Sequence, residues 1–548
     1  MQQPDGRWEP APFTDTTDNT DLCAKSLTRT STAREYSNVM NFVSSNPHRV
    51  NELSEAVFGT LLLECFVECD RIKCSCSKSH DRDWMWNLGF LIEHSKLHLV
   101  TEFRVIVYNN CKSPMHIDKV MKDMENRLQS RLPNVRLILF LGYGVFTAGT
   151  MEGVDLNQER KAAEAAAKSI RKLFPRATDL RSHVYKLWGP TPNVSILAPN
   201  SFPLYEYTLR EYAHQLEHVQ MLIPFPPNVP KLFDSLTSLS INIRYIRLRR
   251  DLPVIPTRCL RILEVFQIEA IIPWHLFEIT DGALNFGSLQ DLRMEFIQAT
   301  ANTATFPGCN CPVHFPRLNT LHVTGSAYIY TDIYAYFQGR VFERLTIMDD
   351  PTSFERINEH AFETVKMLKI GHPTGAPFVD VYSVDMVERL YQLPSSVEVA
   401  TLGLFDYPLP GLIAWVNLRS LTLAASIADK HGLANLLGQL PLLHTLVADC
   451  FSMIRSDAKV TKFPDQKITF DEIGEILNPT SQLEVSESLE RLDLFVRGTF
   501  DLVGFCELVL CLPRVTKVKV NHHMIPHIMS MLHQVFKVSR NIVFEPLS

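Results

Sequence analysis

The chain has 548 residues, 46% hydrophobic and 21% charged, which is ordinary for a protein with a large core. Its 54 basic and 60 acidic residues leave a net charge of −6, so the whole molecule offers no attraction to nucleic acid or anionic lipid. No apolar run nears the roughly 18–20 residues of a membrane helix.

Residues 1–35 are rich in Thr, Ser, Asp and Pro. They hold too little apolar area to offset the entropy of ordering, and a disordered tail is expected. MQQPDGRWEP does not read as a secretory signal, and 12 cysteines are too sparse for a disulfide scaffold. Reduced thiols in the cytoplasm or nucleus are the expectation. Order is expected from about Tyr36. In Val50–Asp70, Leu53, Val57, Leu61, Leu62, Phe66 and Val67 have a helical spacing, so 36–96 is read as a short helical segment.

From Leu97 strands and helices alternate. Leu99–Tyr108 reads as a strand, Ile117–Leu132 as a helix and Val135–Leu141 as a buried strand. The alanine-rich Leu156–Phe174 is a strong helix, with Asp155 and Gln158 as a capping box. A strand near Leu180–Leu187 and a helix over Tyr205–His218 follow. Strands joined by helices imply parallel pairing, because only a crossover returns the chain to the same end of a sheet.

After Leu236 one pattern recurs: apolar, two others, apolar, one other, apolar. It reads SLTSLSI at 235–241, SLQDLRM at 288–294, RLNTLHV at 317–323, NLRSLTL at 417–423, LLHTLVA at 442–448, SLERLDL at 488–494 and RVTKVKV at 514–520. Weaker copies are CLRILEV at 259–265, VFERLTI at 341–347, TVKMLKI at 364–370 and VEVATLGL at 397–404. Successive anchors, from Leu236 to Val515, lie 24, 29, 29, 24, 23, 34, 19, 25, 46 and 26 residues apart. Most of these sit near the roughly 20–29 residues of leucine-rich repeats. Gly325, Ala425 and Val496 stand where regular repeats carry asparagine. The expected fold over 97–548 is therefore α/β: one curved leucine-rich-repeat-like solenoid with an irregular helical convex side. Its parallel sheet is expected to include 239–241, 292–294, 321–323, 345–347, 368–370, 402–404, 421–423, 492–494 and 518–520.

Several clusters imitate chemistry. LFLGYGVFTAG at 139–149 has Thr147 where a dinucleotide fingerprint needs its third small residue, and the helix starts only near Asp155. HQLEH at 214–218 matches an inverted zinc-peptidase motif, a remote hydrolase alternative, but it runs directly into the apolar Val219–Phe225. Cys65, Cys69, Cys74, Cys76 and His80 could ligate zinc but lack paired C-x-x-C knuckles. Cys309, Cys311 and His314 offer three ligands at most, and His522, His523 and His527 read as a solvated face. Arg244, Arg247, Arg249 and Arg250 interleave with Ile243, Ile246 and Leu248 as in a strand with one polar face. No catalytic residue, cofactor or resident metal is assigned.

Alternation along the repeat strands sends the residues flanking the second and third apolar positions to the concave face. Arg293, Glu295, His322, Arg344, Lys369, Arg491, Asp493, Phe495, Lys517 and Lys519 are the candidate partner-binding residues. Their mixed signs, with no recurring nucleophile and base, point to a protein partner and away from nucleic acid or membrane.

The irregular repeats PRLNTLHV and NLRSLTL resemble the F-box/leucine-rich-repeat-like proteins of early-diverging fungi. DWMWNLGFLIEHSKLHLVTEFRVIV at 83–107 is similar to that family's junction between F-box and first strand, and SIRKLFPRATDLRSHV at 169–184 to its early repeats. The resemblance spans about 55–548. It implies a substrate-selecting ubiquitin-ligase adaptor, with the ligase core docking on the N-terminal helical segment. No Leu-Pro pair precedes Val57, so the F-box is degenerate, truncated or absent. A stand-alone interaction scaffold is the alternative.

Overall fold

The computed structural model describes residues 60–66, 88–93, 97–108, 117–129, 132–143, 156–185, 203–221, 233–242, 255–268, 274–296, 312–325, 340–348, 359–371, 396–403, 414–423, 426–428, 430–453, 469–470, 486–534 and 542–546, with Ser95, Phe337 and Gln392. The expected tail at 1–35 lies outside the described residues. The chain divides into two compact units, Met1–Leu260 with His275–Glu278 and Arg261–Trp274 with Ile279–Ser548.

In the first unit, β1 (Thr60–Phe66), β2 (Glu102–Tyr108), β3 (Leu137–Tyr143), β4 (Asp179–Tyr185), β5 (His218–Met221) and β6 (Ser238–Asn242) pair in chain order, all parallel. Among the described residues four helices lie between them in sequence: α1 (Leu88–Glu93), α2 (Ile117–Leu128), α3 (Leu156–Leu173) and α4 (Pro203–Tyr212). Helix α3 buries Ala163, Ala166, Ala167, Ile170 and Leu173, an apolar stripe at helical spacing. Phe174, just past its end, packs with its ring tilted against Phe103 of β2 at 4.5 Å, and Tyr205 of α4 meets Phe140 of β3 edge-on at 5.6 Å. The Tyr212 hydroxyl donates to the carbonyls of Ile170 and Phe174 at 3.0 and 2.8 Å. It thereby satisfies acceptors that the end of α3 leaves open. Burial raises its phenol pKa, so it remains a donor.

Two readings need correction here. Thr60–Phe66 is a strand rather than part of a helix: a short apolar run suits either state, and β2 decides it by registering against all seven residues. The helix read over Tyr205–His218 ends at Tyr212; a 3-10 turn takes Ala213–Gln215, and β5 begins at His218. Leu216 and Val219 are the buried residues of a repeat, as are Val100, Phe103 and Val105, and Val135, Ile138 and Phe140. The repeat thus also operates ahead of Leu236.

The second unit holds β7 (Ile262–Ile268), β8 (Ile279–Thr280), β9 (Ala283–Asn285), β10 (Asp291–Phe296), β11 (Val313–His314), β12 (Thr320–Gly325), β13 (Arg344–Met348), β14 (Met367–Gly371), β15 (Val399–Gly403) and β16 (Ser420–Leu423). These are followed by β17 (Ser426–Ala428), α5 (Lys430–Gly438), β18 (Thr445–Met453), β19 (Thr469–Phe470), β20 (Arg491–Phe500), α6 (Leu502–Leu510), β21 (Lys517–Val520), α7 (Ile525–Gln534) and β22 (Val543–Pro546). The ladder runs β7, β10, β12, β13, β14, β15, β16, β18, β20, β21, β22, every neighbouring pair parallel. Strand β17 adds to β18 and β19 to β20, while β8, β9 and β11 form a separate small sheet. Eight of the nine expected strand segments fall inside ladder strands of their units. The ninth, 402–404, moves to Val399–Gly403 because the buried anchor is Val397, with Ala400 and Leu402 inward. The spacings there become 32 and 21 residues.

Packing lengthens the repeat by one apolar position. Phe286, Phe315, Phe362, Trp415, Leu440 and Leu512 stand three residues before the anchors Leu289, Leu318, Val365, Leu418, Leu443 and Val515, and all twelve are buried or nearly so. The N–H of each of these six anchors donates to the carbonyl three residues back, at 3.0–3.3 Å, closing a turn before its strand. One carbonyl per repeat then accepts two N–H groups from the next: Gln290 takes Asn319 and Thr320, and Glu343 takes Lys366 and Met367. These contacts make both units leucine-rich-repeat-like α/β solenoids, since each repeat completes its hydrogen bonds and its core on its neighbours. Leu421, fully buried in β16, reports on that stacking. Leu421→Ala is expected to cost roughly 2–5 kcal/mol by chemical denaturation; no loss would mean it does not point into the core.

Candidate functional site

Along the second unit's ladder, alternate residues are buried and the others line an open face. Register sets them in rows. One row reads Glu264, Arg293, His322, Thr346, Lys369, Thr401, Thr422, Val447, Asp493, Lys519 and Glu545. The row on its N-terminal side reads Asp291, Thr320, Arg344, Met367, Val399, Ser420, Thr445, Arg491 and Lys517. The ten candidate residues are therefore members of one ordered face, and eight of them lie in these two rows. Glu295 and Phe495 stand one row further along their strands.

Charge divides this face into three parts. At one end Arg293 donates to Asp291 at 3.1 and 3.2 Å and to Glu264 at 2.9 Å. The hydrogen bonds to Asp291 raise its pKa and keep it firmly cationic. At the other end Arg491 donates from Nε to both oxygens of the buried Asp493 at 3.0 Å, and again through Nη2. Lys517 and Lys519 share Glu545 at 2.9 and 3.9 Å. Between these ends stand Arg344 and Lys369, both exposed and in no ion pair among the described residues. Hydroxyl side chains of Thr320, Thr346, Thr401, Ser420 and Thr422 surround them in register.

Two titratable groups next to this span are perturbed. Burial raises the Glu295 carboxyl pKa. Burial, then the Arg293 and Lys369 cations, lowers the His322 pKa. The unfolded chain therefore takes up the His322 proton before the folded chain does. The stability this residue contributes is present above about pH 6.5 and is lost as pH falls through the lowered folded value. In melts between about pH 7.5 and about 5, His322→Asn is expected to flatten the acid-side loss. An unchanged slope would contradict the placement of His322.

The other candidates separate in space. His214 is exposed in the 3-10 turn, 3.9 Å from Asp234, whereas His218 opens β5, so HQLEH is a repeat junction and does not present two imidazoles on one helical face. Cys65 lies on β1 in register with Val107, not on a helical turn; Cys69, Cys74, Cys76 and His80 are outside the described residues, as are Cys309 and Cys311. Gly142 is inside β3 and α3 starts only at Leu156; Gly144 and Gly149 lie outside the described residues. The basic run from Arg244 to Arg250 does too. His522, His523 and His527 are exposed. Among the described residues no three His, Cys, Asp or Glu side chains gather as metal ligands, and no helix is long and apolar enough to cross a membrane.

Sequence reasoning missed Glu264 and Glu545, the carboxylates that pair with cations at the ends of the face, and Val399 and Thr401, which the misplaced anchor hid. Strand alternation applied to CLRILEV would have found Glu264.

No protein-family model matches the sequence, and no curated protein matches it. Among solved structures, a chain from the crystal structure of a TLR13–ssRNA13 complex is similar over 82% of this chain and 65% of its own length, under two thirds of it. The sequence identity is 10% and the TM-score 0.35. The fold assignment rests on the register and burial of the ladders themselves.

Proposed function

We propose that the chain is a non-enzymatic recognition scaffold whose second unit binds a protein partner on the open face of its parallel ladder. The observation that carries this reading is the in-register presentation of polar side chains, strand after strand, above a core already filled by the inward residues. Such a face is broad and chemically varied, which suits a macromolecule better than a small substrate.

The finer form of the proposal is a substrate-selecting ubiquitin-ligase adaptor, with ligase docking within 36–96. Its support is the resemblance of 83–107 and 169–184 to F-box/leucine-rich-repeat-like proteins; β1, in the place expected to be helical, weighs toward the stand-alone scaffold. Affinity capture with the full chain, read by quantitative mass spectrometry, tests both. Proteins retained by the wild type and lost with Arg344→Glu/Lys369→Glu support the recognition face, and an identical set from both chains contradicts it. Recovery of a ligase core subunit supports the adaptor form; its reproducible absence supports the stand-alone scaffold.

A further inference from the structure

We infer that the centre of this face selects an extended acidic peptide segment with carboxylates at alternate positions. The inference rests on the recognition reading above and names the chemistry of its partner. Arg344 and Lys369 stand on neighbouring strands, offset by two residues, because Arg344 registers with Met367 and Thr346 with Lys369. Strand spacing and rise place their attachment points about 8 Å apart on the diagonal. Residues i and i+2 of an extended peptide are about 6.6 Å apart, within reach of two long cationic side chains.

Met367, in register with Arg344 and two residues before Lys369, is 42% exposed. Carboxylates at positions i and i+2 leave an extended chain on the same side, so one segment can give each cation a carboxylate, with the aliphatic stem of the acid beside Arg344 lying against Met367. The hydroxyls of Thr320, Thr346 and Thr401 can then hydrogen-bond the peptide backbone.

Charge complementarity selects this occupant. Arg293 is held by Asp291 and Glu264, Arg491 by Asp493, and Lys517 and Lys519 share Glu545, so Arg344 and Lys369 are the cations of these two rows in no ion pair among the described residues. Nucleic acid requires a continuous basic track, and the chain as a whole carries −6.

Fluorescence anisotropy with the full chain and a labelled peptide of alternating Glu and Leu tests the inference. Binding is expected, weaker by about tenfold or more when Gln replaces Glu, and weaker by a similar factor with Arg344→Ser/Lys369→Ser, as for the loss of charge-assisted contacts. Both side chains are exposed, so the double variant should melt as the wild type does, and Lys168→Ser on α3 should bind as the wild type does. Binding that ignores the double substitution would overturn the inference. So would a single-stranded RNA that binds through the same two residues while the peptide does not. If Arg344→Glu/Lys369→Glu abolishes capture of cellular partners yet the acidic peptide fails to bind, the recognition reading stands and the acidic-peptide inference falls.

Discussion

Gly325→Ala is expected to destabilise the second unit by about 3 kcal/mol or more. Gly325 ends β12 at φ +94°, a backbone region that side-chain-bearing residues rarely occupy. A Cβ there would stand 1.7 Å from the carbonyl oxygen of Phe296 on β10. That oxygen belongs to the neighbouring strand's backbone, so no rotamer change relieves the clash. The repeats must separate locally or Gly325 must change conformation, and either breaks the pairing of Phe296 with Gly325. Gly287→Ala is the internal control, because its Cβ would meet only the Asn285 side chain at 3.8 Å. That variant should be neutral or gain up to about 1 kcal/mol from a stiffer unfolded chain. Equal denaturation midpoints for the two variants would contradict the geometry at Gly325.

Phe315→Ala is expected to cost about 3–5 kcal/mol, the range for emptying a buried aromatic site. Phe315 stacks on Phe286 at 5.2 Å and touches Trp274 at 5.9 Å and Phe337 at 5.7 Å. Phe286 and Trp274 are themselves 5.8 Å apart, so the cluster ties three successive repeats through one side chain. Truncation leaves a cavity among rings too rigid to collapse into it. Urea melts followed by tryptophan fluorescence would show the loss and a changed native signal. A midpoint within about 0.5 kcal/mol of wild type would show that the cluster does not hold the repeats together.

The periodic parts of the fold were legible because burial enforces them. SLQDLRM, RLNTLHV and NLRSLTL each place three leucine-like residues inward, and alternation alone puts Arg293, His322 and Thr422 on the open face. The reading failed where inward positions are small or polar. Ala177 and Ser182 in the β4 repeat are fully buried, yet neither looks apolar enough to mark a repeat. Ala400 did the same in β15 and let Val399 pass for the anchor. At Thr60–Phe66 local pattern favoured a helix and pairing with β2 overrode it, and the helix read as far as His218 stops at Tyr212, with β5 from His218 paired to β4 and β6. One local signal was available and not used: Asp281 and Gly282, both at positive φ, turn β8 into β9, as an Asp-Gly pair between short strands does.

The candidate face was legible as membership but not as energetics. Position in the repeat told which side chains share a surface. It did not tell that Lys517 is spent on Glu545, because that partner lies 28 residues on and meets it through the register of β21 and β22, whereas the pairing of Arg491 with Asp493 two residues along one strand was open to a local reading. Asn521 shows the same limit. It accepts from the Val496 N–H at 2.7 Å and donates to the Val496 carbonyl at 3.1 Å, joining two repeats where the usual asparagine position had seemed vacant.

Lysine footprinting of the full chain, alone and with a captured partner, tests the recognition face most directly. The open-face account predicts that Lys369 and Lys519 lose reactivity toward an acylating reagent in the complex, while Lys168 and Lys172 on α3 keep theirs. Protection of the α3 lysines with Lys369 and Lys519 left reactive would contradict it.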